Sequence, residues 1–166
     1  ALAGCGYPPC PGHIMLTNSL WRQPLAGFKT TIADWLLGSD PDAPMHLAAK
    51  EVVARQKPRL LFVGYGETDE WAHSGMYDLL LRSAHQVDAF IADLWTTMQA
   101  MPEYRGNTTF GITTDHGRGS GPDAWRDHGQ DVNGAEHIWM AILGPDTPAL
   151  GERSGGEMVT QAQVAA

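Results

Sequence analysis

The apolar positions of residues 76–101 repeat with the period of a helix. Seven of them step by four and three residues: Leu80, Ala84, Val87, Ile91, Leu94, Met98 and Met101. This spacing places the seven side chains in one apolar stripe along a helix. Pro102 and Gly106, which come after the stripe, are residues that end helices. The pattern therefore predicts one long amphipathic helix over residues 76–101.

Three shorter stretches are apolar without that period, and each predicts a β-strand. They are RLLFVGY at residues 59–65, TTFGITT at residues 108–114 and IWMAILG at residues 138–144. Continuous apolar runs of this length are typical of strands buried on both faces. A strand, a long helix and a second strand form a βαβ unit, and such units are almost always parallel and right-handed. The chain is therefore expected to be an α/β protein with a mostly parallel sheet flanked by helices.

The remaining stretches divide the chain into three segments. Residues 1–57 are irregular and then helical, with short helices predicted at residues 28–38 and 43–57. Residues 58–146 hold the βαβ core, and residues 147–166 form a loop and the start of a helix. We expect all three segments to belong to one α/β domain, and both chain ends to be those of a piece of a longer protein.

Composition and charge narrow the class of protein. The chain has 166 residues, of which 43% are hydrophobic and 18% charged, as in globular proteins. A net charge of −8 without a basic cluster argues against a nucleic acid or an anionic membrane surface as partner. The chain contains no apolar run long enough for a membrane span. Cys5 and Cys10 are compatible with a local disulfide or with two free thiols.

Acidic and histidine side chains follow two of the predicted strands. Asp69 and His73 come after the first strand at a spacing of four, which places both on one face of a helical turn. Asp115 and His116 come directly after the second strand, and a third Asp-His pair precedes the last one at residues 127–128. Carboxylate and imidazole groups suit a divalent metal, and ligands bind beyond the carboxyl ends of parallel strands. Their common position favours a metal site.

Other interpretations of these residues are simpler. An isolated Asp-His pair is usually a turn or a helix cap, and Asp69 with His73 also fits a helix that carries a surface imidazole. His13, His46 and His85 have no partner in the sequence and are interpreted as structural or surface residues. A structural α/β domain whose histidines are incidental therefore remains an alternative.

The motifs FVGYGETDEWAHSG, GITTDHGRG and RDHG resemble the C-terminal half of the alkaline-phosphatase superfamily over roughly residues 58–146. The similarity is greatest to its sulfatase-like and type I phosphodiesterase-like branch. The resemblance implies two divalent metal ions, commonly zinc, with manganese or calcium as alternatives. It assigns three ligands to the first metal and two to the second: Asp69, His73 and His128, then Asp115 and His116. His137 is the second choice in place of His128.

The resemblance also implies a reaction, the metal-dependent hydrolysis of a small phosphoric or sulfuric ester at a two-metal site. Arg118 or Arg126 would contact a substrate oxygen, although a surface role fits them as well. No catalytic nucleophile is recognisable within residues 1–57. The chain is therefore expected to be truncated on its N-terminal side, with one complete metal site and half of the second.

Three alternatives to hydrolysis stay open: a phosphomutase of the same superfamily, a truncated metal-binding remnant without turnover, and the structural domain described above. The class of ester, the metal and the oligomeric state stay open as well. Many members of the superfamily are exported, so a periplasmic or extracellular location is favoured, and an oxidising compartment suits Cys5 and Cys10.

Overall fold

The computed structural model describes residues 13–16, 42–156 and 158–164. Its three helices are α1 (Asp42–Gln56), α2 (Glu67–His73) and α3 (Tyr77–Ala100). Its four strands are β1 (His13–Leu16), β2 (Leu60–Val63), β3 (Phe110–Thr113) and β4 (Met140–Leu143). Two short 3-10 helices lie at Ala124–Arg126 and Gln161–Gln163. The predicted helix at residues 28–38 and both cysteines lie outside the described residues.

The long helix is confirmed, because α3 begins and ends within one residue of the predicted range. Its last carbonyl groups are satisfied by Arg105, whose Nε and Nη2 atoms donate hydrogen bonds to the carbonyl oxygens of Gln99 and Ala100 at 3.0 and 3.2 Å. Leu94 and Met98 of the predicted stripe are buried against Val53 of α1 and form the core cluster. Among the described helices, none combines the length and the apolar character that crossing a bilayer requires.

Helix α1 is joined to α3 and to the end of β2 by a set of partly buried polar and aromatic contacts, which we call the α1 cluster: Asp42, His46, Tyr65, Phe90 and Asp93. The ring of His46 stacks on Phe90 at a centroid distance of 4.3 Å. Its Nε2 atom lies 2.7 Å from Asp93 Oδ2, and its Nδ1 atom lies 3.1 Å from the Tyr65 hydroxyl oxygen. A carboxylate only accepts, so Nε2 carries the proton and Nδ1 accepts from Tyr65.

Asp42 is the most buried carboxyl of the α1 cluster. Its Oδ1 atom accepts a hydrogen bond from the backbone amide of Gly66 at 2.7 Å. Burial raises the pKa of Asp42 to about 6, and the neighbouring charge of Glu67 adds to the rise. Burial also raises the pKa of Tyr65, which keeps its hydroxyl protonated. Hydrogen bonds from Lys50 and His46 lower the pKa of Asp93.

The prediction of a mostly parallel sheet flanked by helices is wrong. The described strands form two separate two-stranded sheets, β1 with β2 in parallel and β3 with β4 antiparallel. Residue Phe110 pairs with Leu143 and Thr113 pairs with Met140, because the loop of residues 114–139 returns the chain alongside β3. The predicted βαβ unit is wrong for the same reason, since the hydrogen-bonded partner of β2 is β1 and that of β3 is β4.

The expectation that these strands are buried on both faces is also wrong. Leu60 and Phe62 of β2 point to an exposed face, with 52% of Phe62 accessible, and Ile142 of β4 is exposed as well. Side chains alternate between the two faces of a strand, and in β2 only Leu61 packs against the core cluster of α1 and α3. The apolar run of β2 thus has one half-buried and one exposed face.

Candidate metal centre

Helix α2 presents the first two candidate ligands. It begins directly after β2, with Gly66 at its N-cap, and it carries Asp69 and His73 one turn apart. The Nε2 atom of His73 lies 3.5 Å from Oδ1 of Asp69. The structure therefore confirms that both side chains lie on one face of the helix.

His116 comes to the same carboxylate from the end of β3. Its Nε2 atom lies 3.6 Å from Asp69 Oδ1. Its Nδ1 atom lies 2.9 Å from the carbonyl oxygen of Gly117, which can only accept a hydrogen bond. Nδ1 therefore carries the proton of the neutral ring, and Nε2 keeps the lone pair that a metal ion binds.

His128 completes the arrangement from the long loop that precedes β4. Its Nε2 atom also lies 3.6 Å from Asp69 Oδ1. Its ring stacks on that of His116 with the centroids 3.6 Å apart and the planes at 14°, and it lies 5.0 Å from the ring of His73. Three imidazoles from three segments of the chain thus surround one carboxylate, and we call Asp69, His73, His116 and His128 the metal cluster.

Close backbone contacts bring His116 and His128 together. The amide of Gly117 donates to the carbonyl of Ala135 at 2.7 Å, and the amide of Gly119 donates to the carbonyl of Asp127 at 3.1 Å. A Cβ atom at Gly117 would lie 2.1 Å from the carbonyl oxygen of His137, and one at Gly119 would lie 2.5 Å from that of Ala124. Both positions therefore require glycine for the loop to pack beside the strand end.

The distances within the metal cluster match the chemistry of a metal ion. Asp69, His73 and His128 offer ligand atoms that all lie within 4.8 Å of one another. A tetrahedral zinc ion with bonds of about 2.0–2.1 Å separates its ligand atoms by about 3.3 Å. The observed Nε2–Oδ1 distances of 3.5 and 3.6 Å are close to that value. The histidine side chains are 25–41% exposed, so an ion can reach them from solvent.

The structure places the other predicted ligands differently. Asp115 is 90% exposed, with Oδ1 at 3.7 Å from the Nε2 atom of His116, so it lies beside the metal cluster rather than within it. His137 is 81% exposed, and its Nε2 atom faces Glu136 at 3.8 Å. Asp69, His73 and His128 form the group of possible ligands among the described residues, and neither His137 nor His116, which was predicted as a ligand of the second metal, belongs to it. Asp127, the neighbour of His128, has Oδ1 at 3.9 Å from Nδ1 of His73.

Arg118 forms a contact that the sequence did not predict. Its Nη2 atom forms an ion pair with Oδ1 of Asp69 and also lies 3.3 Å from the carbonyl oxygen of Asp69. Its Nη1 atom donates to the carbonyl of Arg126 at 2.9 Å. Arg118 was predicted to contact a substrate, but its guanidinium lies on the central carboxylate of the metal cluster. The other predicted arginine, Arg126, lies over the ring of Trp125 at 5.7 Å from its centroid.

The chain matches one protein family, described as "Putative nucleotidyltransferase DUF294", over residues 1–42. Of that range, the structure describes residues 13–16 and Asp42. No curated protein and no solved structure matches the chain.

The match contradicts the predicted membership of the alkaline-phosphatase superfamily. The predicted phosphatase, phosphodiesterase or sulfatase activity is wrong with it, and so is the phosphomutase alternative, because both depended on that membership. The physical reason is that short Asp-x-x-x-His and Asp-His motifs recur at the ends of elements in unrelated folds. Their agreement with one family here depended on a parallel pairing of β2 with β3, whereas in the described part of the chain β2 pairs with β1 and β3 with β4.

Proposed function

We propose that this protein binds a divalent transition-metal ion at the metal cluster. The observation that carries the proposal is the convergence of three Nε2 atoms, from α2, the end of β3 and the loop before β4, on Oδ1 of Asp69. At 3.5 and 3.6 Å these nitrogen atoms form no hydrogen bond with Asp69, so hydrogen bonding to the carboxylate does not explain why they converge on it. An ion that binds Asp69, His73 and His128, whose ligand atoms all lie within 4.8 Å of one another, would stabilise their arrangement.

The ligand types select the metal. Imidazole nitrogen suits zinc, copper, nickel and iron, whereas calcium and magnesium prefer six or more oxygen ligands. Three histidines and one carboxylate therefore favour zinc among the metals expected from the sequence. Manganese binds nitrogen ligands more weakly than zinc, and calcium binds them hardly at all. The hydrogen bond from His116 Nδ1 to Gly117 holds that ring in the tautomer that a metal requires.

The test is the metal content of the purified chain, read beside two variants. We expect about one zinc ion per wild-type chain, as for a single preformed site. The double variant Asp69→Asn/His73→Ala is expected to bind none. The matched control is His137→Ala, which removes an exposed histidine outside the metal cluster. Circular dichroism of each variant shows whether the fold persists. Metal-free wild-type protein, or equal zinc content in the double variant, would contradict the proposal.

A second candidate function, nucleotidyl transfer, is favoured by the family match over residues 1–42. This chemistry uses divalent ions to neutralise the phosphates of a nucleoside triphosphate. Carboxylates are the protein ligands that magnesium prefers, and the matched range contains three: Asp34, Asp40 and Asp42. Metal binding at the metal cluster ranks first, because three imidazole nitrogens converge there on one carboxylate oxygen.

This second candidate has its own experiment. The purified chain is incubated with magnesium, each of the four nucleoside triphosphates and glycerol as acceptor, whose hydroxyl oxygen displaces pyrophosphate from the nucleotide, and the released pyrophosphate is measured. Magnesium-dependent release that is lost in Asp34→Asn/Asp40→Asn would support nucleotidyl transfer. No release with any of the four would end this candidate and would leave the zinc measurement unaffected.

A further inference from the structure

A cavity of about 590 Å³ opens beside the metal cluster. The imidazoles of His116 and His128 form one wall, and residues 129–133, 135 and 136 form the rest. Its volume lies within the range of small-molecule sites. A molecule in this cavity therefore lies directly against two of the proposed metal ligands.

The residues that line the cavity include acidic, amide and apolar side chains. Asp131 and Glu136 contribute carboxylates, Gln130 and Asn133 contribute amides, and Val132 adds an apolar surface. Among the described residues that line the cavity, none is a lysine or an arginine. The nearby cationic side chain of Arg118 is engaged by Asp69 and by the carbonyl of Arg126. His137 faces Glu136 from outside the cavity at 3.8 Å, and the acidic residues of the lining are therefore Asp131 and Glu136, beside amides that both donate and accept.

Hydrogen bonds hold the wall of the cavity in place. The amides of Val132 and Ala135 each donate to the carbonyl three residues earlier, at 3.1 Å. Glu136 Oε2 accepts from the amide of Gly134 at 2.9 Å. The carbonyl of Ala135 accepts from the amide of Gly117, which is the neighbour of His116. The carboxylate wall and the histidine wall are therefore joined through the backbone, and the site is formed before a ligand arrives.

We propose that this cavity binds a small organic cation, with an ammonium group near Asp131 and Glu136 and a metal-binding atom directed at the wall of His116 and His128. The inference rests on the metal site proposed above. Charge complementarity supports it, because two carboxylates attract an amine and repel a phosphate or carboxylate group at the same place. A ligand that carries both an ammonium group and a metal-binding atom gains binding free energy from the metal and from the acidic wall together.

Two probes with the same metal-binding group test the proposal. They are 6-aminohexanoic hydroxamate and hexanoic hydroxamate, which differ in the terminal ammonium group. Calorimetric titration of the zinc-loaded chain should give about tenfold tighter binding for the amino compound, the size expected for one favourable charge contact. In Asp131→Asn/Glu136→Gln the preference should fall to about twofold or less. The control Asp123→Asn removes an exposed acid outside the cavity and should keep it. Equal binding of both probes, or an unchanged preference in the double variant, overturns the proposal.

A second measurement separates this inference from the proposed metal site. Amide spectra of the ¹⁵N-labelled, metal-free chain are recorded with hexylamine and with hexanol. Shifts of residues 129–136 with the amine alone support the acidic cavity even where zinc content shows that no metal binds. An absence of shifts with the amine overturns the cavity proposal, while zinc content decides the metal site by itself.

Discussion

The α1 cluster and the metal cluster use the same residue types in opposite surroundings. In the α1 cluster, His46 is 4% exposed, its ring stacks on Phe90, and both of its ring nitrogens have a partner at hydrogen-bonding distance. In the metal cluster, three partly exposed histidines direct Nε2 at one oxygen of Asp69 from beyond hydrogen-bonding distance. A histidine and an aspartate are present in both places, so residue type does not distinguish them.

The two clusters differ in whether the ring nitrogens of their histidines already take part in hydrogen bonds. His46 donates to Asp93 of α3 and accepts from Tyr65 after β2, so it joins three elements and has no lone pair left for an ion. In the metal cluster, His116 has only Nδ1 engaged, and its Nε2 atom is free to bind. Buried and satisfied imidazoles stabilise a fold, whereas exposed imidazoles that share one carboxylate form a ligand set.

The largest effect is expected from Gly117→Ala, which should disrupt the metal cluster without touching a ligand. The new Cβ atom would lie 2.1 Å from the carbonyl oxygen of His137 and 2.8 Å from that of Gly134. We expect a loss of about 3–4 kcal/mol in the free energy of unfolding, since backbone must move to relieve this clash. Zinc binding should be lost with it. Urea denaturation and zinc content measure the two effects.

The matched control for that change is Gly111→Ala, in β3. A Cβ atom there meets nothing within 4 Å. It should change the free energy of unfolding by less than about 1 kcal/mol and leave zinc binding intact. Similar effects of the two substitutions would show that the packing of Gly117 does not hold the metal cluster together.

His46→Ala is the next largest change and should separate the two clusters. It removes the stacking on Phe90 and leaves the Tyr65 hydroxyl and the Asp93 carboxylate without this partner. We expect a loss of about 3 kcal/mol in the free energy of unfolding, from the lost packing and the unpaired Tyr65 hydroxyl, since Asp93 keeps its contact with Lys50. The zinc affinity of the protein that remains folded should not change. Urea denaturation and zinc titration provide both numbers.

His128→Ala should show the reverse pattern. It removes a partly exposed ring, so the metal-free protein should lose less than about 1 kcal/mol, while zinc affinity should fall by about 100-fold or more. If His46→Ala weakened zinc binding as strongly as His128→Ala does, the α1 cluster and the metal cluster would not have separate roles.

Much of the local structure could be predicted from the sequence. The step of four and three residues placed α3 to within one residue at each end, and it named Leu94 and Met98, which are buried. The three apolar runs contain β2, β3 and β4. The spacing of Asp69 and His73 placed both on one face of a helix. Periodicity reports each of these features because they depend on residues near one another in the chain.

Long-range features could not be predicted in the same way. The direction of β4 beside β3 depends on the path of residues 114–139, which contacts such as that of Gly117 with Ala135 determine. The apolar run of β2 gave no indication that Phe62 is exposed. The ion pair of Arg118 with Asp69 joins residues 49 positions apart. Short motifs outside their fold context then led to the wrong family.

A further prediction concerns Asp42, the carboxyl of the α1 cluster that burial affects most. The pKa of Asp42 is about 6 in the folded protein, against 3.8 for the free group. A raised folded pKa means that its contribution to stability is fully present below pH 3.8 and is lost as the pH rises through about 6. Between pH 4 and 7, wild-type protein should therefore lose about 2–3 kcal/mol relative to Asp42→Asn.

Asparagine suits this comparison because it keeps an oxygen that can accept from the amide of Gly66. Urea denaturation of both proteins across that pH range measures the difference, and other titrating groups cancel because both proteins contain them. Parallel pH profiles would show that Asp42 is solvated well enough to ionise without cost.

The smallest effect is expected from Arg118→Met, and it bears directly on the metal cluster. The guanidinium forms an ion pair with the same Asp69 oxygen that the three histidines approach. A cation at that position competes with a metal ion and repels it. Methionine keeps much of the apolar stem without the charge, so zinc should bind about tenfold more tightly, equivalent to ~1.4 kcal/mol. Competition with a chromophoric chelator measures the affinity. Arg126→Met is the control, because Arg126 lies over Trp125 instead. Weaker zinc binding in Arg118→Met would mean that Arg118 orients Asp69 for the ion, so that the arginine acts with the three histidines and does not oppose them.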